Sequence, residues 1–395
     1  MSRAHLITGA TGFVGGAITL ELLRRTESTL YCLTRPRKSD ENIQARLESS
    51  LFTAARAYGM DHLMTDIPRR CVAIAGDILK PRGSVWQSLR VDEIWHAAAS
   101  LKYEDEYRDE VWAHNVDGTW NILDLAHTVQ AEVFNHVSTA YVAGSRQGMI
   151  LEEPAHADTP VNNCYEASKI EAEKQVTTTD IYSRILRPSI VIGHSQTLAA
   201  TSFTGFYGSI RNLANLGRMA TRYPELDPQR RSVMLRVAPD TPVNFVPIDS
   251  VASDAVALSL ADTSAPSGRV YHLTNDYQPQ AGALIRLLFK LLRYREPLFV
   301  QHREQLTKLD RLLDDKLRFY ISYWRNAKTF SRQHTDAVIG TNRGAWRLDE
   351  TELARHIQWY LALLASGPDS KPGARRPIQR SLDQTLLPDP VHQAA

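Results

Sequence analysis

Short apolar runs alternate with amphipathic stretches along the first half of the chain. The runs lie at 4–8, 29–34, 71–75, 91–96, 133–137 and 182–186. Between them apolar residues recur at helical spacing, as in Ile18, Leu20, Leu22 and Leu23, in Ile43, Leu47, Leu51, Ala55 and Tyr58, and in Ile122, Leu123 and Ala126. Continuous apolar strands separated by helices predict an α/β fold in which a parallel sheet is covered on both faces.

The pattern changes after residue 194. Residues 202–216 read as a helix or loop on the substrate side. Residues 221–242, rich in Arg, Pro and Asp, read as an exposed loop with the character of a lid. The apolar stretch 243–249 leads to a helix at 250–261 and a strand at 270–273. Residues 280–330 read as strongly helical, with Leu284, Leu287, Leu288, Leu291 and Leu292 followed by Leu306, Leu309, Leu312, Leu313, Leu317, Phe319 and Tyr320. Asp349 with Glu352 gives a capping-box start to a last helix ending near Leu364. The expected division is a nucleotide-binding domain with the catalytic residues at 1–193, a predominantly helical substrate subdomain at 194–365 whose segment 243–275 returns to the first body, and a flexible tail at 366–395.

Composition narrows the classes. With 395 residues and 43% hydrophobic content, the chain can bury a large core. Lys plus Arg (46) nearly balances Asp plus Glu (44), which gives no general field for nucleic acid or membrane. Cys32, Cys71 and Cys164 are odd in number and distant in sequence, arguing for a reducing compartment and against a zinc cluster. No apolar run reaches membrane-spanning length, so a soluble, cytoplasmic protein without a transmembrane anchor is expected. A basic rim of Arg293, Arg295, Lys308, Arg311, Lys316 and Arg318 suits either an acidic carrier or coenzyme phosphate, or an ordinary solvated face.

The first run enters Gly9-Ala10-Thr11-Gly12-Phe13-Val14-Gly15, a GxxGxxG turn that opens a helix. Gly9 permits the tight turn, Gly12 the approach of a pyrophosphate and Gly15 close helix–strand packing, while first-turn amides face the phosphates. At the end of the second strand, where a carboxylate would hold the ribose diol of NAD, stands Arg35, with Arg37 and Lys38 nearby. A guanidinium there suits a 2'-phosphate, so NADPH is favoured over NADH unless Arg35 is merely a solvated strand-end residue. Asp77, followed by Ile78, either accepts from an adenine amino group or shapes a turn. Small residues at Ala97 and Ala98 leave room for adenosine. Pro188 fixes a chain exit from which the backbone at Ile190 and Val191 can meet the nicotinamide carboxamide.

Thr139 ends the fifth run, and 26 positions later Tyr165 and Lys169 share one helical face. A phenol beside an ammonium becomes more acidic and serves as a proton donor, with Thr139 as a second hydrogen-bond donor to a substrate oxygen. Asn115 either ties a neighbouring loop so as to place Lys169, or caps a helix. Cys164 is expected to point away from the site and to have no covalent role.

These segments resemble the extended short-chain dehydrogenase/reductases, and within them the thioester reductase and fatty acyl-CoA reductase branch, also named for male-sterility proteins. The resemblance rests on TGATGFVGG at 8–16, YCLTRP at 31–36, HAAA at 96–99, NVDGTW at 115–120, HVSTAYVAG at 136–144, NNCYEASKIEAE at 162–173, RPSIVIG at 187–193 and VNFVPID at 243–249. It implies a Rossmann-type doubly wound sheet, with phosphates at Gly9, Gly12 and Gly15 and a catalytic set of Thr139, Tyr165 and Lys169. It also implies NADPH-dependent reduction of an acyl thioester, bound to CoA or a carrier protein, to an aldehyde and in some members onward to the alcohol. The alternatives are an NADP(H)-dependent ketone or aldehyde reductase with the same side chains, and a catalytically silent NADPH-binding regulator. Homodimer assembly is left open.

Overall fold

The computed structural model describes residues 3–37, 42–81, 83–156, 158–220, 224–262, 265–341 and 348–366. Its centre is a sheet of seven parallel strands: β1 (Ala4–Thr8), β2 (Thr29–Thr34), β3 (Cys71–Ala75), β4 (Glu93–His96), β5 (Val133–Val137), β6 (Tyr182–Pro188) and β7 (Arg269–Leu273). Their spatial order is β7-β6-β5-β4-β1-β2-β3. Chain order reverses between β1 and β4, and a crevice at the carboxyl ends of such strands is where open α/β sheets bind ligands.

Both faces are covered, which is why the strands carry continuous apolar runs. Helices α1 (Phe13–Arg25) and α2 (Ile43–Ala57) pack on one face. The other face carries α3 (Gly118–Thr128) and α4 (Cys164–Thr178). The 39–68 excursion keeps Leu47, Leu51, Ala55 and Tyr58 buried as their spacing requires. Beyond the sheet come α5 (Phe206–Ala220), α6 (Ile248–Ala261), α7 (Ala281–Leu291), α8 (Lys308–Lys316), α9 (Arg318–Tyr323), α10 (Gln333–Ile339) and α11 (Glu350–Ala365). Of these, α6 lies against α1 on the first face, and β7 pairs with β6, so the segment around 243–275 is part of the sheet layer. Helix α10 joins the same face through Val338 and Ile339, and the remaining helices share a core with Tyr141, Phe206, Phe245 and Tyr323.

Two local expectations change. The described residues of the 221–242 segment, 224–242, are not an exposed lid: Met234–Arg236 pairs in parallel with Leu298–Val300, and Val233 and Leu235 are buried. Two arginines that suggested a solvated loop are neutralised across the fold, Arg231 by Asp310 and Arg236 by Asp314, each at 2.6 Å. The 280–330 stretch is interrupted by Leu298–Val300 and Lys328–Phe330, and Leu312 faces solvent at 58% exposure. The tail from 367 lies outside the described residues, as do Lys38 and the start of the 39–68 excursion. Asp349 does accept from the Glu352 amide at 2.9 Å and so starts α11. No helix among the described residues is long and apolar enough to cross a membrane.

One buried carboxylate ties the outer elements to the sheet. Helix α10 has no capping side chain at its own N-cap, Arg332. Glu152 supplies the missing acceptor: it takes the amides of His334 and Thr335, the Thr335 hydroxyl at 2.6 Å, and the His272 amide of β7 at 2.7 Å. Removing it strands those donors in the interior. Glu152→Ala is expected to lower unfolding free energy by about 3 kcal/mol, read as an earlier midpoint in urea denaturation, and an unchanged midpoint would contradict this role.

Candidate active site

A cavity of about 880 Å³ runs along the carboxyl edge of the sheet from the glycine turn to the aromatic side of the outer helices. Its floor begins where β1 meets α1. Gly9 has φ +78°, and a side chain there would place Cβ 2.8 Å from the Ala98 nitrogen and 2.9 Å from the Ala97 carbonyl carbon. A Cβ at Gly15 would overlap the Gly9 carbonyl. The Gly12 amide donates to Gly9 O at 2.8 Å, and Gly12 is the N-cap of α1. No side chain caps that helix start and no acidic residue lies in its first turn. Thr11, Phe13 and Val14 line the cavity there, so the helix start offers unpaired amides to an anionic ligand. The cradle fits a dinucleotide pyrophosphate.

At the β2 end, Arg35 and Arg37 are joined by Arg46 of α2, which the sequence reading missed because it lies nine residues beyond Arg37 on a different element. Arg46 donates to the Arg35 carbonyl. The Arg35 guanidinium stands 3.5 Å from His114 Nε2 and 3.7 Å from Asp77. Asp77 shapes the turn, its carboxylate accepting from the Leu79 amide at 3.0 Å, and it also lines the cavity, where its second oxygen leaves the adenine reading open. Ile78, Ala97 and Ala98 complete this end, while Pro188, Ile190 and Val191 line the opposite wall.

Thr139, Tyr165 and Lys169 face the middle of the same cavity. Thr139 follows β5 in extended backbone and accepts from the Tyr141 amide at 3.2 Å, which opens a short 3-10 turn. Helix α4 starts where Asn163 accepts the Glu166 amide at 2.9 Å. Lys169 is buried, and its ammonium donates to Val137 O at 2.7 Å. Burial pulls it down to about 8, with Glu173 opposing.

The expected lowering of the phenol is not what the structure shows. Enclosure by protein, reinforced by the neighbouring Glu166 carboxylate, pushes Tyr165 up. The ammonium that was to oppose this is directed onto the Val137 carbonyl. Tyr165 therefore holds its proton at neutral pH.

Asn115 stands behind the wall. It belongs to a π-turn, Ala113–Asp117, leading into α3, whose N-cap is Asp117, so the N-cap reading is excluded. Its side chain accepts from the Ser100 amide at 2.7 Å and donates to Ser100 O at 3.0 Å and Ser168 Oγ at 2.9 Å, which ties a loop to the residue preceding Lys169. Ser138 donates to Glu173, and Glu173 is gripped by Arg187 at 2.9 and 2.6 Å, all three buried. Glu173 lies one turn beyond Lys169, a spacing that could have disclosed it. Cys164 is buried, does not line the cavity and has its thiol pushed up by burial.

The far end is aromatic: Tyr141, Phe206, Phe245, Phe319, Tyr320, Tyr323 and Trp324. Tyr323 meets Tyr141 edge-on at 4.6 Å and donates to Glu166 at 3.1 Å, joining α9 to α4.

A family model described as male sterility protein matches residues 7–255. An aldehyde reductase of Aspergillus flavus is 27% identical over 92% of this chain, and a carboxylic acid reductase of Mycobacterium tuberculosis is 29% identical over 71% of it. The chain spans 36% and 25% of those two proteins. Among solved structures, the terminal R domain of the myxalamid PKS-NRPS biosynthetic pathway is 26% identical, with a TM-score of 0.73 over 93% of this chain and 92% of that one.

Lys169 gives the site a pH signature. Its charged form, the better donor to a ligand in the cavity, prevails below about pH 8 and is lost above. Affinity for a nicotinamide dinucleotide is expected to fall about tenfold as pH rises through that value, and Lys169→Arg to remove the fall. Titration calorimetry at several pH values checks both.

Proposed function

Because the chain belongs to the male sterility protein family and is an oxidoreductase that binds a nicotinamide cofactor, we propose that it reduces an acyl thioester to the aldehyde with NADPH. The observation that carries this reading is the single cavity in which an anion cradle, a hydroxyl–phenol pair and an uncharged aromatic end follow one another. Arg35, Arg37 and Arg46 support the preference for NADPH, since clustered guanidinium groups favour a 2'-phosphate. The PKS-NRPS pathway of the R domain described above supports a carrier-bound thioester as the source of the acyl group, with a CoA thioester as the alternative. A cytoplasmic location fits the same reading.

When bound, the reduced nicotinamide supplies hydride to the carbonyl carbon. The protein's own work is done at the oxygen. Thr139 Oγ1 and Tyr165 Oη donate to it as negative charge develops, and a phenol that keeps its proton is suited to that task. Asn115, through Ser168, and the carbonyl of Val137 hold the lysine that lies on the same helical face. The tetrahedral oxyanion then collapses to the aldehyde as the carbon–sulfur bond breaks and the thiolate leaves, to take a proton from solvent, so no enzyme nucleophile is needed. In reduction of the aldehyde to an alcohol, Tyr165 would instead give up its proton to the oxygen.

Incubation with NADPH and matched acyl-CoA, acyl-carrier and free-aldehyde panels, with products identified by mass spectrometry, tests the reading. Aldehyde from thioester is expected, and turnover of aldehydes or ketones alone would replace it with the carbonyl-reductase alternative. Tyr165→Phe is expected to retain NADPH binding and lose about 100-fold or more in turnover. Replacing Arg35 and Arg46 together by Ala is expected to reduce the NADPH-over-NADH ratio of kcat/KM by about tenfold or more, and an unchanged ratio would remove them from cofactor selection.

A further inference from the structure

The residue one position before the Val137 carbonyl that receives Lys169 is a histidine. His136 is fully buried in β5, and its Nε2 lies 3.4 Å from Lys169 Nζ. Its ring stacks on His96 of β4, with centroids 5.6 Å apart.

The hydrogen bonds of His96 determine its form. Thr119 Oγ1 spends its only proton on Asn115 O at 2.7 Å, so in its 3.1 Å contact with His96 Nε2 the imidazole is the donor. Thr8 Oγ1 accepts from the Ala98 amide and gives its own proton to His96 Nδ1 at 2.9 Å. His96 is therefore a neutral imidazole with both nitrogens engaged, and burial holds it there by lowering it to about 3.

His136 differs from it. Its Nε2 faces an ammonium and must accept, which puts the proton on Nδ1. That Nδ1 is buried and has no hydrogen-bond partner among the described residues. An apolar ring would fill the space without stranding a donor, so packing alone does not explain an imidazole at this position. What the imidazole adds is a lone pair aimed at Lys169.

We infer that His136 is a positioning residue for Lys169: its Nε2 and the Val137 carbonyl take two of the three ammonium donors and direct the third into the cavity. The inference rests on the assignment of Lys169 to the cofactor and catalytic site. The other ionisable groups around the ammonium do not substitute for it. Glu173 on α4 is engaged by Arg187 and Ser138, Tyr165 stands one turn earlier on α4, and His96 has both nitrogens occupied.

Two full-chain variants separate this role from packing. His136→Phe keeps an aromatic ring on His96 and removes the acceptor, whereas His136→Gln keeps an acceptor and removes the ring. NADPH affinity across the neutral to alkaline range is the first readout and needs no substrate. In the Phe variant the alkaline loss of affinity is expected about one pH unit lower, because an acceptor favours the charged lysine. With a turned-over thioester, kcat is expected to fall about tenfold with KM little changed. The Gln variant is expected to restore both. An unmoved pH profile in the Phe variant, or a Gln variant no better than Phe, would overturn the inference. Should the Phe variant not fold, His136→Met removes the acceptor in its place. A wild-type protein that turns over no thioester while the binding profile shifts as described would refute the proposed reaction and leave the role of His136 standing.

Discussion

The active centre depends on how closely the start of α1 can approach the end of β1. The glycine turn brings helix backbone against strand backbone with no side chain between them. Gly15 passes over the Gly9 carbonyl, and Gly9 in turn lies against the main chain at Ala97 and Ala98, so two strand ends and a helix start meet at one point. A β-carbon at Gly9 or Gly15 would force them apart and would move the unpaired amides of α1 away from the pyrophosphate cradle. The requirement is steric before it is electrostatic. The helix dipole favours an anion only where the backbone has first been allowed to come near.

A second constraint operates behind the cavity wall, where polar groups rather than apolar ones hold the catalytic helix in register. Glu173 is bound on one side by Arg187 of β6 and on the other by Ser138 at the end of β5. Asn115 fixes α4 from a third direction through Ser168. Buried polar networks of this kind contribute little net stability but penalise every displaced arrangement, because moving one partner leaves a desolvated charge or donor unpaired. They suit a site in which Thr139 and Lys169 come from different elements and must face the same small volume.

Much of this was legible in the sequence, and what was not shares a physical reason. The glycine turn, Arg35, Thr139, Tyr165 and Lys169 were readable because each is dictated locally, by backbone geometry, a strand end or the pitch of a helix. All of them line one cavity. Arg46, His136 and Arg187 were missed because their roles arise only when distant elements meet. The arginines of 221–242 misled for the same reason, as their partners Asp310 and Asp314 lie some eighty residues away. Charge density in sequence reads as solvation unless the opposite charge is also nearby in sequence. The acidity of Tyr165 was misjudged because helical spacing places Lys169 on the right face but does not say which acceptor its ammonium will choose.

That choice has a chemical consequence. An ammonium bound to the Val137 carbonyl and facing His136 does not act on the phenol directly, so Tyr165 remains a proton holder while the cavity around it is closed by Tyr141, Tyr323 and Phe245. The two ends of the cavity then separate their tasks. Among the described residues, the charged ones that line it, other than Lys169, are Arg35, Arg37, Arg46 and Asp77, and they gather at the β2 end. The acyl end presents rings and hydroxyls. Under the proposed function an anionic cofactor would be drawn to one end, and a neutral carbonyl would meet donors at the other in a region of low polarity, where hydrogen bonds to a developing oxyanion are strongest. Lys169 stands at the boundary, the one cation both halves share.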